Sequence, residues 1–526
     1  MAATGSGPTP RLSRMTVLGA SSAPAGTDPA APLNAEETDQ LSRLRRWGTA
    51  GALLMAVGST SSYGAATPVP NPVDGIRIIG LLSRVGPAAL ALSYSGIGLL
   101  VVCWLLIGRL AVPGRRRRLS RTQLTHTLAM WAVPFLVTPP IFSRDVYSYL
   151  AIGAQMLHGS NPYDQGPVEA LGEDNPLAHQ VDARWQHTTT PYGPGFLLIV
   201  KGVVAITGEH VVTGVLVQRL VELVGVAMIV WAMPRLARRC GMDPVAALWL
   251  SVLNPLLLFH LIAGGHNEAL MIGAMLAGLV LALDRHLVPG VALIAVAVSI
   301  KATAGMALPF LVIIRARRKG GRWPDLFRQG ALVGGIALAT FLAITLIAGT
   351  GFGWIKALST PGTVHSFLSV STSLGVGAGQ AGLLLGLGDH SQAAIDVMQP
   401  VGTAVGILIG LVIMWQSWRG RIPPILGLGI SLGAFVLLGP VIQPWYLLWA
   451  ALPLAAATAD ARYRMTTVWL TAVFAVIIMP NGGTIPVFTI VQAVVVATLV
   501  AAGVLFALWR TGLPTTVASD DTRPTR

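Results

Sequence analysis

The chain has 526 residues, of which 53% are apolar and only 11% are charged. A soluble globular domain carries about 25% charged residues, so the composition excludes an ordinary soluble fold. A net charge of +14 would favour nucleic acid if considered alone. The basic residues, however, lie in short turns between apolar stretches, which indicates contact with membrane headgroups, and no nucleic-acid partner is expected.

Both ends of the chain differ from its middle. Residues 1–42 are rich in Ala, Pro, Ser and Thr and lack an apolar core, which predicts a disordered cytoplasmic tail and not a cleavable signal peptide. Residues 43–510 are predicted to form one polytopic transmembrane domain, in which apolar stretches of about 20 residues recur, each long enough to cross a bilayer. Residues 511–526 are predicted to be a second disordered cytoplasmic tail.

Arg-rich turns set the predicted sidedness, because short cytoplasmic loops are enriched in Lys and Arg. These turns contain Arg43/Arg45/Arg46, Arg115 to Arg118, Arg235/Arg238/Arg239, Arg315/Arg317/Arg318/Lys319, Arg419/Arg421 and Arg462/Arg464. Crossings are then predicted at 47–66, 88–110, 124–142, 211–233, 245–263, 268–284, 331–349, 394–415, 423–441, 445–458, 466–480 and 486–508. A first large loop at 143–190 and a second at 351–390 remain outside.

Two apolar segments are too short for this pattern. The run 192–207 is predicted to be re-entrant or interfacial. The run from Val288 to Ile314 lies between two cytoplasmic turns but has too few residues for two spans of about 20 residues each. Its midpoint is Lys301, so we expect two half-length helices that meet at this lysine. The predicted fold class is therefore an all-α integral membrane protein, a bundle of about 13–14 crossings with short outer-face loops and interfacial helices.

Only two cysteines occur, Cys103 in an apolar helix and Cys240 beside a basic turn. Two cysteines so placed support neither a disulfide framework nor a cysteine-based metal site. Redox chemistry is therefore not expected.

Asp145 opens the first outer loop in the segment FSRDVYSY, directly after an apolar helix. A carboxylate at this depth is costly unless it has a partner or a function. It could pair with Arg144 or cap the next helix. It could instead be a general base that accepts a proton from a hydroxyl nucleophile.

Aromatic residues stand beside hydrogen-bonding groups in the outer segments. An aromatic ring can cover the C–H face of a sugar while polar groups bind its hydroxyls, although Tyr and Trp also form interfacial belts. The candidates for sugar or acceptor binding are Tyr147, Tyr163, Tyr192, Asn267, Glu268, Gln443, Trp445 and Tyr446.

Several cations lie in or near predicted spans. Arg219 could pair with Glu222 at i,i+3, whereas Lys301 has no carboxylate at helical spacing, which by default marks a functional site. The anion most available at that depth is a lipid phosphate. Lys301, Arg219, His266 and Arg144 are therefore the candidates for binding a donor phosphate. Together with one well-placed Asp, they indicate transfer of a sugar from a lipid phosphate, because a phosphate leaving group needs positive charge but no general acid.

Six motifs in the chain resemble a known family. They are FSRDVYSYLAIGAQ, NPYDQGP, PYGPGFL, LNPLLLFHLIAGGHNEALMIG, SIKATAG and QPWYLLWA, which together extend from Phe142 to Ala450. The chain resembles the actinobacterial polyprenyl-phosphomannose-dependent α-1,6-mannosyltransferases of the GT-C class. The segments GFGWIKALST and GQAGLLLGLGDHS resemble its B branch.

The resemblance implies a GT-C fold in the plasma membrane, with the active site facing outward. It implies that decaprenyl-phosphate mannose is the donor and that mannosylated phosphatidylinositol or lipomannan is the acceptor. Asp145 falls on the family's base, and transfer from a β-linked donor to an α product would be inverting. Arg144 stands where many relatives have a second acid, so a divalent metal is possible but not certain. An arabinosyltransferase using the same lipid phosphate, or a flippase for lipid-linked sugars, remain as alternatives.

Overall fold

A computed structural model describes residues 31–112, 116–360, 366, 368–483 and 487–510. Three predicted features lie outside these residues: residues 1–30 of the N-terminal tail, Arg115 of the second basic turn, and the C-terminal tail at 511–526.

Twenty α-helices make up most of the described chain. The first ten are α1 Ala35–Gly58, α2 Gly86–Ala111, α3 Arg121–Ala132, α4 Asp145–Leu157, α5 Pro167–Leu171, α6 Ala183–Gln186, α7 Pro194–Thr207, α8 Val211–Arg239, α9 Pro244–Ser251 and α10 Glu268–Leu283. The second ten are α11 Leu287–Ile300, α12 Ala307–Lys319, α13 Trp323–Ala348, α14 Trp354–Ala357, α15 Val370–Leu384, α16 Ser391–Trp418, α17 Pro424–Leu438, α18 Leu447–Ala457, α19 Ala461–Ile477 and α20 Val487–Arg510.

Irregular helices and one minimal sheet complete the described elements. A π-helix spans Leu257–Ala263, and 3-10 helices span Ile79–Arg84, Val133–Val137, Ala178–Gln180, Ala302–Met306 and Pro444–Tyr446. Two strands of two residues, β1 Ala31–Pro32 and β2 Arg117–Arg118, pair in parallel. The predicted all-α class is thus confirmed for the part of the chain that the structure describes.

Helix α1 begins inside the segment predicted as the N-terminal tail. Asn34 caps it through a capping box, in which the Asn34 side chain accepts from the Glu37 N–H at 2.8 Å and Glu37 accepts from the Asn34 N–H at 3.1 Å. This reciprocal pair satisfies two backbone donors that would otherwise be unpaired. Order therefore extends to residues before the predicted boundary at 42.

Four described helices, α2, α8, α13 and α16, are long and apolar enough to cross a membrane, and a fifth span results if the bent pair 257–283 counts as one. Several other apolar helices have only 10–17 residues. A helix of 14 residues is about 21 Å long, less than the hydrocarbon thickness of about 30 Å. The structure is that of an all-α membrane protein, while the number of about 14 crossings stays a prediction.

The predicted break at Lys301 is confirmed. Helix α11 ends at Ile300, Lys301 has extended backbone angles (φ −150°, ψ 123°), and a 3-10 turn leads into α12. The loop before α7 packs against this break, because the Gly193 N–H donates to the Ile300 carbonyl at 3.1 Å. A Cβ at Gly193 would lie 2.3 Å from the Ser299 carbonyl oxygen, so only glycine allows this approach.

Basic turns that are far apart in sequence meet at one end of the bundle. Arg45 in α1 donates to the Gln123 carbonyl in α3, and Arg118 pairs with Asp243. Arg239 pairs with Asp284, and Arg317 donates to the Ser417 carbonyl at the end of α16. Five of the six Arg-rich turns assigned to one side by the sequence are thus joined by contacts, and Arg239 also interacts electrostatically with Arg318.

Glycines let α8 approach α10 at close range. A Cβ at Gly225 would lie 2.2 Å from the Ala269 carbonyl carbon, and one at Gly273 would lie 2.4 Å from the Gly225 carbonyl oxygen. Small residues of this kind let helices in membranes pack backbone to backbone. The contact supports the turn that precedes α10.

We predict that Gly225→Val destabilises the protein by about 2 kcal/mol or more, because the added methyl groups would force apart two backbones. The measurement is the thermal unfolding midpoint of the detergent-solubilised protein. Gly334→Ala in α13 is the matched control, since a Cβ added at Gly334 would meet no other atom within 4 Å. An unchanged midpoint for Gly225→Val would contradict the close packing of α8 on α10.

Candidate active site

A cavity of about 1070 Å³ joins the first outer loop to the helix break at Lys301. Its wall includes Asp145 at the start of α4, Lys301, the segment Gln443 to Tyr446 and apolar residues of α16 and α17. Ala404 and Ile407 of α16 line this cavity, and most of the apolar length of α16 is exposed. The cavity therefore has a polar part at Asp145 and Lys301, and an apolar part on a helix that is long enough to cross a membrane.

Asp145 is presented to the cavity by a strained turn. Phe142 has a φ of 73°, a left-handed value that a bulky side chain rarely adopts. It is stabilised there by donating its N–H to the Pro480 carbonyl at 2.6 Å and by ring contact with Phe259 at 5.5 Å. The Ser143 hydroxyl then accepts the Asp145 N–H at 3.0 Å, which begins α4. Backbone strain of this kind is concentrated at functional sites.

His266 stands behind the Asp145 carboxylate. Its Nδ1 lies 3.4 Å from Asp145 Oδ2, and its buried ring stacks on Trp445 at 3.8 Å between ring centroids. Burial raises the pKa of Asp145, but His266, the Ser143 hydroxyl and the Lys301 ammonium together hold it below its usual range. Asp145 is therefore an ionised carboxylate, the form that accepts a proton. His266 contacts the carboxylate and does not line the cavity, which argues against its predicted contact with a phosphate.

Lys301 has a carboxylate partner that sequence spacing did not show. Its Nζ lies 2.5 Å from Glu268 Oε1, 3.5 Å from the Tyr446 hydroxyl and 4.5 Å from the centre of the Tyr446 ring. Lys301 has no carboxylate at helical spacing, but α10 brings Glu268 to it from a distant part of the chain, so the lysine is not without a partner. Lys301 still lines the cavity, whereas Glu268 is buried behind it.

The Arg219 side chain is hydrogen-bonded to backbone carbonyls. Its guanidinium donates to the carbonyls of Leu136, Ile262 and Ala263, each at 3.1 Å. The alternative that Arg219 pairs with Glu222 is not observed, since Glu222 accepts from Gln218 at 2.7 Å. Arg219 is 2% exposed and does not line the cavity. Its role is therefore structural, and the assignment of Arg219 to a phosphate is not retained.

Arg144 and two of the predicted sugar-binding tyrosines make contacts within the fold. Arg144 lines the cavity but donates to the carbonyls of Gln180 and Thr67 at 2.9 and 3.2 Å. The Tyr147 hydroxyl donates to the Ala66 carbonyl at 2.6 Å, and the Tyr163 hydroxyl donates to the Tyr192 carbonyl at 2.8 Å. Both rings are buried away from the cavity, so Tyr147 and Tyr163 are not placed to contact a sugar.

The remaining predicted residues divide into cavity-lining and buried groups. Tyr192, Gln443, Trp445 and Tyr446 line the cavity. Asn267 is fully buried in the turn before α10, and its side-chain amide has no hydrogen-bond partner among the described residues. The structure thus brings Asp145, Lys301, Tyr192, Gln443, Trp445 and Tyr446 together around one space.

Several polar and aromatic cavity residues were not predicted. They include Asp182, Arg184 and Trp185 around α6, and Asp396 and Gln399 in α16. The first three form the cluster DARW inside the predicted outer loop, and the other two are polar residues at i,i+3 in an apolar helix. Both patterns are visible in the sequence and could have indicated the site.

Arg184 donates two hydrogen bonds to Asp182 at the cavity wall. Arg184 Nε donates to Asp182 Oδ1 at 2.8 Å and Nη2 donates to Oδ2 at 3.1 Å. Burial raises the pKa of Asp182, but these hydrogen bonds from Arg184 outweigh it and lower the pKa below its usual range. Asp182 is consequently ionised and can accept further hydrogen bonds from a ligand.

Within the described ranges, no three His, Cys, Asp or Glu side chains are grouped so as to hold a metal ion. A hard divalent cation prefers several oxygen ligands, whereas Asp145 has a histidine beside it and Arg144 before it. These donors do not fit such a site.

The fold and the cavity together indicate a class of protein. A helical membrane protein that joins a carboxylate and a lysine to apolar walls has the parts of an enzyme for an amphiphilic substrate. The family model described as "Alpha-(1->6)-mannopyranosyltransferase, N-terminal domain" matches residues 45–317, and "MptB C-terminal domain" matches residues 371–506.

Curated relatives agree with the family models. The chain is 40% identical to a probable alpha-(1->6)-mannopyranosyltransferase of Mycolicibacterium smegmatis, covering 92% of this chain and 91% of that protein. It is 36% identical to alpha-(1->6)-mannopyranosyltransferase Rv1459c of Mycobacterium tuberculosis (92% and 90%). It is 34% identical to alpha-(1->6)-mannopyranosyltransferase B of Corynebacterium glutamicum (88% and 80%). No solved structure matches the chain at a significant level. The chain belongs to the alpha-(1->6)-mannopyranosyltransferase family and is a membrane glycosyltransferase.

We predict that Asp145→Asn reduces glycosyl transfer by about 100-fold or more, because the amide keeps the shape of the side chain but cannot accept a proton. Turnover is measured in membranes containing equal amounts of inserted protein. Asp164→Asn, in the same outer loop but outside both cavities at Asp145, is the matched control. If the Asp145 variant kept more than about a tenth of wild-type turnover, another group would have to be the base.

Proposed function

We propose that this glycosyltransferase moves mannose from polyprenyl phosphate mannose to the α-1,6-mannan backbone of lipomannan and lipoarabinomannan, with inversion, on the outer face of the plasma membrane. The observation that carries the proposal is the single cavity in which the Asp145 carboxylate, the Lys301 ammonium and the apolar walls of α16 and α17 meet. A polyprenyl phosphosugar has matching parts: a hydroxyl-rich ring, a phosphate and a long apolar chain.

The transfer follows from these groups as one in-line displacement. The acceptor hydroxyl oxygen attacks C1 of the donor mannose while the bond from C1 to the phosphate oxygen breaks, and the electron pair of that bond stays on the phosphate. Asp145 takes the hydroxyl proton. Lys301 lies on the cavity wall where it can stabilise the developing phosphate charge, and this leaving group needs no general acid.

The distance between Arg219 and Arg239 along α8 supports an outward-facing site. Arg219, near the start of α8, contacts the turn beside His266, and Arg239 lies in the basic end of the bundle. Twenty residues of helix separate them, which is about 30 Å at 1.5 Å per residue. That distance equals the hydrocarbon thickness. A cytoplasmic basic end would therefore place Asp145 at the opposite membrane surface.

The function is tested with radiolabelled polyprenyl phosphate mannose and a synthetic α-1,6-dimannoside, added to membranes that contain the protein. A labelled trisaccharide with a new α-1,6 linkage is expected. Membranes with the Asp145→Asn protein are the control. Labelling from a polyprenyl phosphate arabinose donor alone would contradict mannose transfer.

We predict that loss of the Lys301 charge impairs use of the donor. Lys301→Met alone would leave Glu268 buried without its partner, at a cost of about 3–5 kcal/mol, so it is combined with Glu268→Gln. Charge-assisted contacts to phosphate contribute roughly 1.5–3 kcal/mol, and kcat/KM for the donor should fall about 10- to 150-fold while acceptor KM changes little. Glu268→Gln alone, which keeps the Lys301 side chain at the cavity wall, is the comparison and should lose less donor use than the double variant. Wild-type donor kinetics in the double variant would show that Lys301 does not contact the phosphate.

Sidedness is predicted separately from activity. In a background with Cys103→Ala and Cys240→Ser, cysteines at the exposed positions Glu173 and Gln380 should react with an impermeant thiol reagent in intact cells. A cysteine at the exposed Lys319, at the basic end, should react only after permeabilisation. Reaction at 319 in intact cells would place the active site on the cytoplasmic side.

A further inference from the structure

A second, small cavity adjoins the active-site cavity at Asp145. It has a volume of about 30 Å³, and its wall shares Asp145, Trp185, Pro191 and Tyr192 with the large cavity. One water molecule needs roughly 10–15 Å³ by this measure, so the small cavity has room for about two water-sized groups. A hexose ring does not fit, but a hydroxymethyl group does.

The small cavity is built to contact a hydroxyl. Ser148 and Gln155 line it, and both are buried, at 8% and 1% exposure. The Ser148 hydroxyl and the Gln155 carbonyl oxygen have no hydrogen-bond partner among the residues described. Buried polar atoms are nearly always paired in native proteins. These two atoms therefore lack a partner that a ligand hydroxyl or a water could supply.

The adjacent part of the large cavity presents a surface suited to a sugar ring. Trp185 is half-buried and lines both cavities, so one part of its indole is accessible beside Asp145. Asp182, which accepts two hydrogen bonds from Arg184, also lines the large cavity. An aromatic face beside an ionised carboxylate can contact the C–H groups and the hydroxyls of a hexose at the same time.

The direction of attack decides which substrate lies there. In an inverting displacement the attacking oxygen and the leaving phosphate are on opposite sides of the reacting carbon. If the phosphate lies at Lys301, the acceptor must reach Asp145 from another wall. Trp185, Pro191 and Tyr192 line both cavities together with Asp145, and they lie in the segment before α7.

We propose that Trp185 and Asp182 form the acceptor subsite, in which the terminal hexose of the acceptor stacks on Trp185 and its primary hydroxymethyl group reaches the entrance of the small cavity, with the hydroxyl oxygen at Asp145 and open to the donor in the large cavity. This inference rests on the proposed function. It also gives a physical origin for transfer to a primary hydroxyl: a secondary hydroxyl on the ring cannot enter a cavity too narrow for the ring.

The test uses the purified full-length protein with the mannosyl donor, the α-1,6-dimannoside acceptor and a dimannoside whose terminal residue lacks the 6-hydroxyl. Trp185→Ala should raise acceptor KM roughly 10-fold or more, as expected for the loss of a central aromatic contact. Donor KM should stay within about 2-fold, and the deoxy analogue should lose inhibitory potency by the same factor as the acceptor. Trp185→Phe, which keeps an aromatic face, should restore acceptor KM to within about 3-fold of the wild type.

Trp469→Ala is the matched control, since Trp469 is 65% exposed on α19 and lines neither cavity. Its kinetic constants should equal those of the wild type. An unchanged acceptor KM in Trp185→Ala would overturn the subsite, and so would an equal rise in donor KM. If the wild-type protein itself transferred no mannose to the dimannoside, the proposed function would fail first, and the two failures are thereby distinguishable.

The role of the small cavity is tested separately, by the linkage of the product. Ile152 lines the small cavity and is 4% exposed, so Ile152→Ala enlarges that space without touching Trp185. Linkage analysis of the product should then show a loss of strict α-1,6 linkage. A product that is still entirely α-1,6-linked, from a variant shown to be folded, would remove the small cavity as the source of regioselectivity.

Discussion

The buried guanidinium of Arg219 satisfies three backbone carbonyls at points where helices break, and the geometry of the site depends on it. Burying a charge inside a membrane protein is costly unless it is hydrogen-bonded. The carbonyls of Leu136, Ile262 and Ala263 supply those bonds, and in return each carbonyl receives a donor at a place where a regular helix ends. Ala263 also accepts the Ile141 N–H, one residue before the strained turn that leads to Asp145. One cation therefore links α8, the π-helix and the segment that presents the carboxylate.

The partners of a buried charge decide what that charge does. Arg219 and Lys301 look alike in the sequence, each a cation in an apolar segment. Arg219 meets only carbonyls and is shut away from the cavity, whereas Lys301 has Glu268 on one side and the cavity on the other. The Lys301–Glu268 pair lets an ammonium remain in a water-poor place while part of it faces a ligand. Asp145 is held in a comparable way by His266, which is fixed by stacking on Trp445.

The shape of the cavity accounts for how one space could receive two unlike substrates. Apolar residues of α16 and α17 form one part of the cavity wall, and in the proposed reaction they would contact the lipid chain of the donor. The loop that contains α6 contributes charged and aromatic groups at the same Asp145. In the proposed reaction the donor would enter through the helices and the acceptor through the loop. Asp145 is the group that both approaches share.

Local sequence pattern was sufficient for the class of protein, the long helices and the break at Lys301. These features depend on how many apolar residues follow one another, and a run too short for two spans leaves few alternatives. It was also sufficient for the family, because several long motifs in the same order are specific to it.

The sequence pattern did not reveal which tyrosines face a ligand. Tyr147 and Tyr163 look the same in sequence as Tyr192, but their hydroxyls donate to carbonyls inside the fold. The pairing of Lys301 with Glu268 and of Asp145 with His266 was likewise decided by tertiary structure alone. Such contacts join residues on different helices, and helix periodicity carries no information about which helix packs against which.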